Sequence, residues 1–163
     1  MYDTTIALQP LSLLIVSIFR LNGRIIEYGD LLGAPLGMTS ARWQIFGAME
    51  LAGEPLTAPQ ISRGMGMTRQ GVQKLLNLLM AEGLIEQLAN PRHERSYLYA
   101  PTSQGKKAFQ DIQTLYAARL LEMTQGITPE AMSEARSLLD AMANNIEKMV
   151  IHKNGKAVLL PAS

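Results

Sequence analysis

Between Thr68 and Gly83, five side chains able to read a hydrogen-bonding surface share one face of a helix. Arg69, Gln70, Gln73, Lys74 and Asn77 stand at i, i+1, i+4, i+5 and i+8, spacings that 3.6 residues per turn bring to one side. Arg forms paired bonds to guanine, Gln and Asn form them to adenine, and Lys reaches guanine or a phosphate. That composition suits the base edges of a DNA groove, although any solvated helix face is polar. No carboxylate interrupts the face before Glu82, at its end. Thr68 has the residue type of an N-cap and opens the same surface, so it joins the candidate DNA-binding set.

The helix carrying them must bury its other side. Val72, Leu75, Leu76, Leu79 and Met80 recur at i, i+3, i+4, i+7 and i+8, a single apolar stripe. Gly83 follows where a left-handed C′ residue can end the helix. Upstream, Thr57 with Pro59 behind it predicts a short helix, Ile61 pointing inward and Ser62 and Arg63 toward a phosphate backbone. The segment Gly64-Met65-Gly66-Met67 reads as the turn between the two helices. Downstream, residues 84–88 and 96–100 read as strands around the loop Ala89-Asn90-Pro91-Arg92-His93-Glu94-Arg95. Helix, turn, helix and basic hairpin make a winged helix-turn-helix, in which Arg92 and Arg95 can enter a minor groove. An exposed hairpin charged for solubility would carry the same residues.

Charge is distributed to match. The whole chain is nearly neutral at +1, which says nothing about partners. Residues 54–107 hold seven basic and four acidic side chains, a net of +3, against −2 elsewhere. A basic centre suits phosphate contact and salt-dependent binding. With no cysteine, disulfides, thiol switches and thiolate metal sites are excluded. The two histidines, His93 and His152, lie in different predicted elements, and no ligand spacing or cofactor signature accompanies them. No nucleophile–base pairing or glycine-rich phosphate loop points to an enzyme. The apolar run from Leu11 to Phe19 follows no basic residue and is too short to span a membrane, so the expectation is a cytoplasmic protein.

Both ends carry a heptad rhythm. Leu11, Leu14, Ile18, Leu21, Ile25, Tyr28 and Leu32 are spaced alternately by three and four, as are Met132, Ala135, Leu139, Met142, Ile146 and Met149, after Thr128 and Pro129. Such seams pack helix on helix, either within one chain or between two subunits. Thr39 or Ser40 predicts a helix over 41–52 with Trp43, Phe46 and Met49 inward. Thr102 or Ser103 starts another to about residue 125 with Phe109, Ile112, Tyr116, Leu120 and Met123 on one side. The ten methionines, at helical spacing, read as core filling.

The chain resembles the MarR family of bacterial transcriptional regulators over most of its length. The likeness rests on ARWQIFGAM (41–49), on LTAPQISRGMGMTRQGVQKLLNLLMAEGLIE (56–86), and on the wing followed by PTSQG (101–105). It implies a homodimer on a near-palindromic operator with one recognition helix per half-site. It also implies a cleft for a small aromatic effector, which Arg42 and Trp43 would border by analogy of position. One departure is in the wing. The family usually places an acidic residue two positions before the arginine, whereas here His93 precedes the retained Arg95 and Glu94 is the nearest substitute partner. Without cysteine, the chain does not resemble the thiol-oxidising branch.

The expected fold is therefore mainly α with a small β-hairpin wing. A winged helix-turn-helix over 37–105 would be flanked by a helical dimerisation region over 1–36 and 106–152, with a patternless tail over 153–163. The expected function is that of a dimeric, operator-binding transcriptional regulator of double-stranded DNA, a repressor of the MarR type released by a small-molecule ligand. The competing function is a winged-helix module for non-specific DNA binding or protein contact.

Overall fold

Each predicted helix forms, and threonine sets where most of them begin. The structure, a computed structural model, describes the backbone of residues 4–153 and 156–159 and the side chains of residues 9–150. In chain order it contains α1 (Thr4–Gly33), a 3-10 turn (Ala34–Leu36), α2 (Ser40–Ala52), α3 (Ala58–Met65), α4 (Arg69–Ala81), β1 (Ile85–Leu88), β2 (Leu98–Pro101), α5 (Ser103–Met123), α6 (Pro129–Met149), β3 (Val150–Lys153) and β4 (Lys156–Leu159). Thr39, Thr57, Thr68 and Thr128 each cap a helix by accepting a backbone N–H three residues on. Those bonds satisfy N–H groups that a helix start leaves without partners. Two compact units result, Met1–Ala118 and Arg119–Ser163.

The core of the first unit gathers around α4. Val72, Leu76 and Leu79 are wholly buried with Ile45, Phe46, Ile61 and Ile112, and Leu75 and Met80 pack partly buried at the edge. Phe46 stacks on Phe109 with ring centroids 5.8 Å apart, adding aromatic attraction to the area both rings bury. Of the inward residues expected on α2, Phe46 and Met49 are buried, joined by Ile45 and Ala48, while Trp43 is half-buried. On α5, Phe109 and Ile112 are buried, but Leu120 and Met123 stay exposed. A Cβ at Gly105 would overlap the Leu84 carbonyl, so only glycine lets the first turn of α5 lie this close to the chain entering β1.

β1 and β2 pair antiparallel, with Ile85 opposite Pro101 and Leu88 opposite Leu98. β2 starts two residues later than the expected 96–100 and runs one further, to Pro101; at its start the Ser96 N–H bonds back to the His93 carbonyl at 3.0 Å, keeping the chain out of the ladder. On its other side β2 is held by Leu56, whose N–H and C=O exchange bonds with Tyr99 at 3.1 and 2.8 Å. That bridge links the entrance of α3 to the wing. The start of α2 is tied to α1: the Ser40 hydroxyl donates to the Ile26 carbonyl at 2.8 Å, and the Ser40 N–H donates to Asp30.

In the second unit, α6 leads directly into an antiparallel β3–β4 hairpin in which Val150 faces Leu159 and Lys153 faces Lys156. β4 falls where the sequence suggested no element. Its sequence signal is Asn154-Gly155 between two apolar runs, a strong short-range hairpin cue.

Leu76 fills the centre of the first unit, and truncating it leaves a void that a close-packed interior closes only in part. Leu76→Ala is expected to lower unfolding stability by about 2–5 kcal/mol, read as a shifted midpoint in urea unfolding at unchanged slope.

Candidate nucleic-acid interface

The stripe that anchors α4 also aims its opposite face. With Val72, Leu76 and Leu79 facing inward, Arg69, Gln70, Gln73, Lys74 and Asn77 all lie exposed. Thr68 is exposed as well, its Oγ1 accepting from the Gly71 N–H at 3.1 Å. The first turn of α4 contains no acidic side chain, leaving the positive end of the helix dipole open to an anion. Gly83, at φ 71°, takes the left-handed C′ position, and the Leu84 N–H returns to the Leu79 carbonyl at 2.9 Å to close the helix.

Ser62 does not face phosphate as the sequence suggested. It is buried, and its hydroxyl donates to the Met67 carbonyl at 2.7 Å while the Met67 N–H donates to the Ser62 carbonyl at 3.0 Å. The pair of bonds locks the turn between α3 and α4, because a polar side chain buried at a turn finds its partner in the local backbone. Arg63 is exposed.

The wing loop is built from two successive turns. The Asn90 carboxamide oxygen accepts from the Arg92 N–H at 3.0 Å, and the Asn90 carbonyl accepts from the His93 N–H at 3.1 Å. This is the local capping that makes Asn a turn former. The turn from His93 to Ser96 follows. Arg92 and Arg95 are exposed on this frame. Among the described residues neither forms an ion pair, Glu94 does not partner Arg95, and Arg63, Arg69 and Lys74 are likewise without a carboxylate within 4.0 Å. The loop is therefore shaped by backbone turns in place of the acidic–arginine pair. Its positive charges and those of α4 are not internally neutralised.

The carboxylate that ends the reading face is neutralised instead. Glu82, at the C-cap of α4, receives both terminal nitrogens of Arg42 at 2.9 and 2.6 Å, and Arg42 Nη1 also donates to the Gly37 carbonyl at 3.0 Å. The fork joins the start of α2 to the end of α4 with the planar geometry that guanidinium and carboxylate share. Arg42 also borders a cavity of about 390 Å³ with Leu36, Met38, Leu84 and Lys107, though its guanidinium is already engaged. Trp43 meets Tyr116 edge-on, ring centroids 4.6 Å apart. A second cavity, of about 510 Å³, opens between α1, the start of α2 and the turn before α4, lined by Asn22, Ile26, Asp30, Gln44, Met65 and Met67. Two contributors to the interface had no clear sequence signal: Glu82 as the partner of Arg42, 40 positions away, and Tyr99, whose phenol reaches Gln73 from the wing.

A family model described as the MarR family matches residues 36–96, the span that holds α2, α3, α4 and the wing. An uncharacterized protein of Mycobacterium tuberculosis is 33% identical over 129 residues, which cover 79% of this chain and 89% of that protein. The chain belongs to the MarR family. Solved MarR-type structures share its fold. A mutant MarR from E. coli complexed with operator DNA superposes with a TM-score of 0.67 at 20% identity, covering 87% of this chain and 97% of that one. CouR from Rhodococcus jostii RHA1, bound to p-coumaroyl-CoA, gives 0.69 at 19% identity over 77% and 88% of the two chains. The chain is thus a MarR-family winged-helix protein with the fold of those transcriptional regulators. Among the described residues no helix is long and apolar enough to cross a membrane.

Removing the Arg42 fork would leave Glu82 unpaired at the edge of the reading face. Since the pair is partly solvated, at 17% and 36% side-chain exposure, Arg42→Ala is expected to cost only about 1 kcal/mol of stability, more at low salt than at high. Urea unfolding at two ionic strengths checks this, and a cost that does not shrink with salt would rule out an ion-pair origin.

Proposed function

We propose that this MarR-family protein is a homodimeric repressor that sets one α4 in the major groove of each half of a near-palindromic operator and is released by a small aromatic ligand. The observation carrying the proposal is the exposed face of α4 and the wing, where Arg69, Lys74, Arg92 and Arg95 have no carboxylate partner among the described residues. Unneutralised basic side chains beside Gln70, Gln73 and Asn77 supply both things an operator needs, phosphate attraction and base-edge bonding. The Arg42 fork neutralises Glu82, the carboxylate at the end of the α4 face.

Two-fold pairing is supported by apolar surface left open in each unit. On α1, Leu11, Leu21 and Ile25 of the seam are 42%, 58% and 47% exposed. On α6, Leu139 and Ile146 are 40% and 58% exposed. Helices with an uncovered apolar stripe are stable in water when another surface covers it, and a second copy presents the same seams. Ligand release is supported by the cavity of about 510 Å³ beside the turn that leads into α4. Any molecule that binds there more tightly in one arrangement of that turn shifts the DNA-binding equilibrium by the difference. Arg42 and Trp43 remain candidates for ligand contact through the neighbouring surface of α2.

Selection of random duplex DNA by the purified protein at near-physiological salt is expected to recover a palindromic motif. Binding without a motif that vanishes as salt rises would instead favour non-specific association. Gln73→Ala should lose about 1–3 kcal/mol on that motif and relax its sequence preference, whereas Arg95→Ala should weaken all duplexes evenly and lower the salt slope by about one. Equal losses of Gln73→Ala on motif and random DNA would argue against base reading. The double substitution Leu139→Asp, Ile146→Asp should sediment as a monomer, and a dimeric variant would remove α6 from the interface.

A further inference from the structure

Gln73 is not a free reading head. Its Nε2 donates to the Asn77 Oδ1 at 3.0 Å, one helical turn on, and to the Tyr99 Oη at 3.3 Å, across from β2. A glutamine amide has two N–H donors and one carbonyl acceptor, so both donors are used inside the protein. Gln73 Oε1 remains as an acceptor and Asn77 Nδ2 as a pair of donors. Tyr99 is well placed to impose this. It is only 5% exposed, its backbone exchanges two bonds with Leu56, and it lies in register with Gln87 across the wing. The strand ladder fixes the phenol, and the phenol fixes the amide.

We infer that Tyr99 is a specificity-determining positioning residue, which withholds the N–H donors of Gln73 from DNA and makes Gln73 and Asn77 act as one acceptor–donor unit. The inference rests on the reading of α4 as the base-reading helix and adds what that helix can read. A free glutamine grips adenine at two points, accepting from N6 and donating to N7. Held by Tyr99 and Asn77, Gln73 can only accept, so adenine N6–H₂ and cytosine N4–H₂ satisfy it alike. Asn77 meanwhile donates to an acceptor on the same or a neighbouring pair: guanine O6 or N7, thymine O4, or adenine N7. Tyr99 thus broadens recognition at one position of the operator from adenine to either amino-bearing base.

The test compares random-duplex selections by the full-length wild type, Gln73→Ala and Tyr99→Phe at one salt concentration, with thermal melting of each. Gln73→Ala marks the base pair that Gln73 meets. Tyr99→Phe keeps the ring and removes the oxygen, freeing one N–H. It should raise the adenine-to-cytosine ratio at the marked position roughly two- to tenfold, the span of one net hydrogen bond, while melting cooperatively. An unchanged ratio overturns the inference, whether affinity is kept or falls evenly on all duplexes. So does a Gln73→Ala selection that relaxes no position of a wild-type motif, and both leave operator binding standing. A wild type that selects no motif overturns operator reading and this inference together. Should Tyr99→Phe fail to melt cooperatively, Asn77→Ala decides, since it frees the other donor and should move the ratio in the same direction.

Discussion

Burial of one stripe of α4 is the constraint on which the rest depends. Val72, Leu76 and Leu79 are inaccessible to water among Ile45, Phe46, Ile61 and Ile112, each such side chain contributing about 1.5–3 kcal/mol on transfer from water. A helix advances a fixed angle per residue, so burying this stripe also determines where Arg69, Gln73 and Asn77 point. A slip of one residue would rotate the stripe out of the core and bring the polar Gln73 and Asn77 toward it. Stability and orientation of the interface are therefore one property of the fold.

The surroundings of α4 hold it at several independent points. Thr68 caps its start, the Ser62–Met67 bonds close the turn before it, Gly83 ends it, and Arg42 grips Glu82 at its last turn. The Leu56–Tyr99 bridge fastens the wing to the entrance of α3, and Tyr99 reaches back to Gln73. A site held this way is largely preorganised, which lowers the entropic cost of any association it makes. The cationic tips differ in kind. Arg92 and Arg95 ride on backbone turns with no ion pair among the described residues, so both charges lack an internal counterion.

The apolar seams of α1 and α6 show how far periodicity can be taken. Spacing by three and four makes each a packing helix; Leu11, Leu21 and Ile25 of α1 and Leu139 and Ile146 of α6 are exposed, while Leu14, Ile18, Tyr28, Leu32 and Met142 are half-buried. The rhythm states that a surface needs covering and is silent about which chain covers it. The hairpin after α6 shows the reverse case, where Asn154-Gly155 between apolar runs carries a purely local signal.

The sequence by itself determined the elements and their order. Threonine caps, the apolar stripe of α4, Gly83 beyond its end and the turn-forming Asn90 are local codes, because each depends on neighbours within a few residues. Tertiary structure alone decided the roles that depend on residues far apart in the chain. Ser62 turned from a phosphate contact into a buried lock, Arg42 became the partner of Glu82, and Tyr99 from the wing took hold of Gln73. Hydrogen bonds act over about 3 Å, and whether two polar groups 26 or 40 positions apart come that close is settled by how the core packs, which no local pattern records.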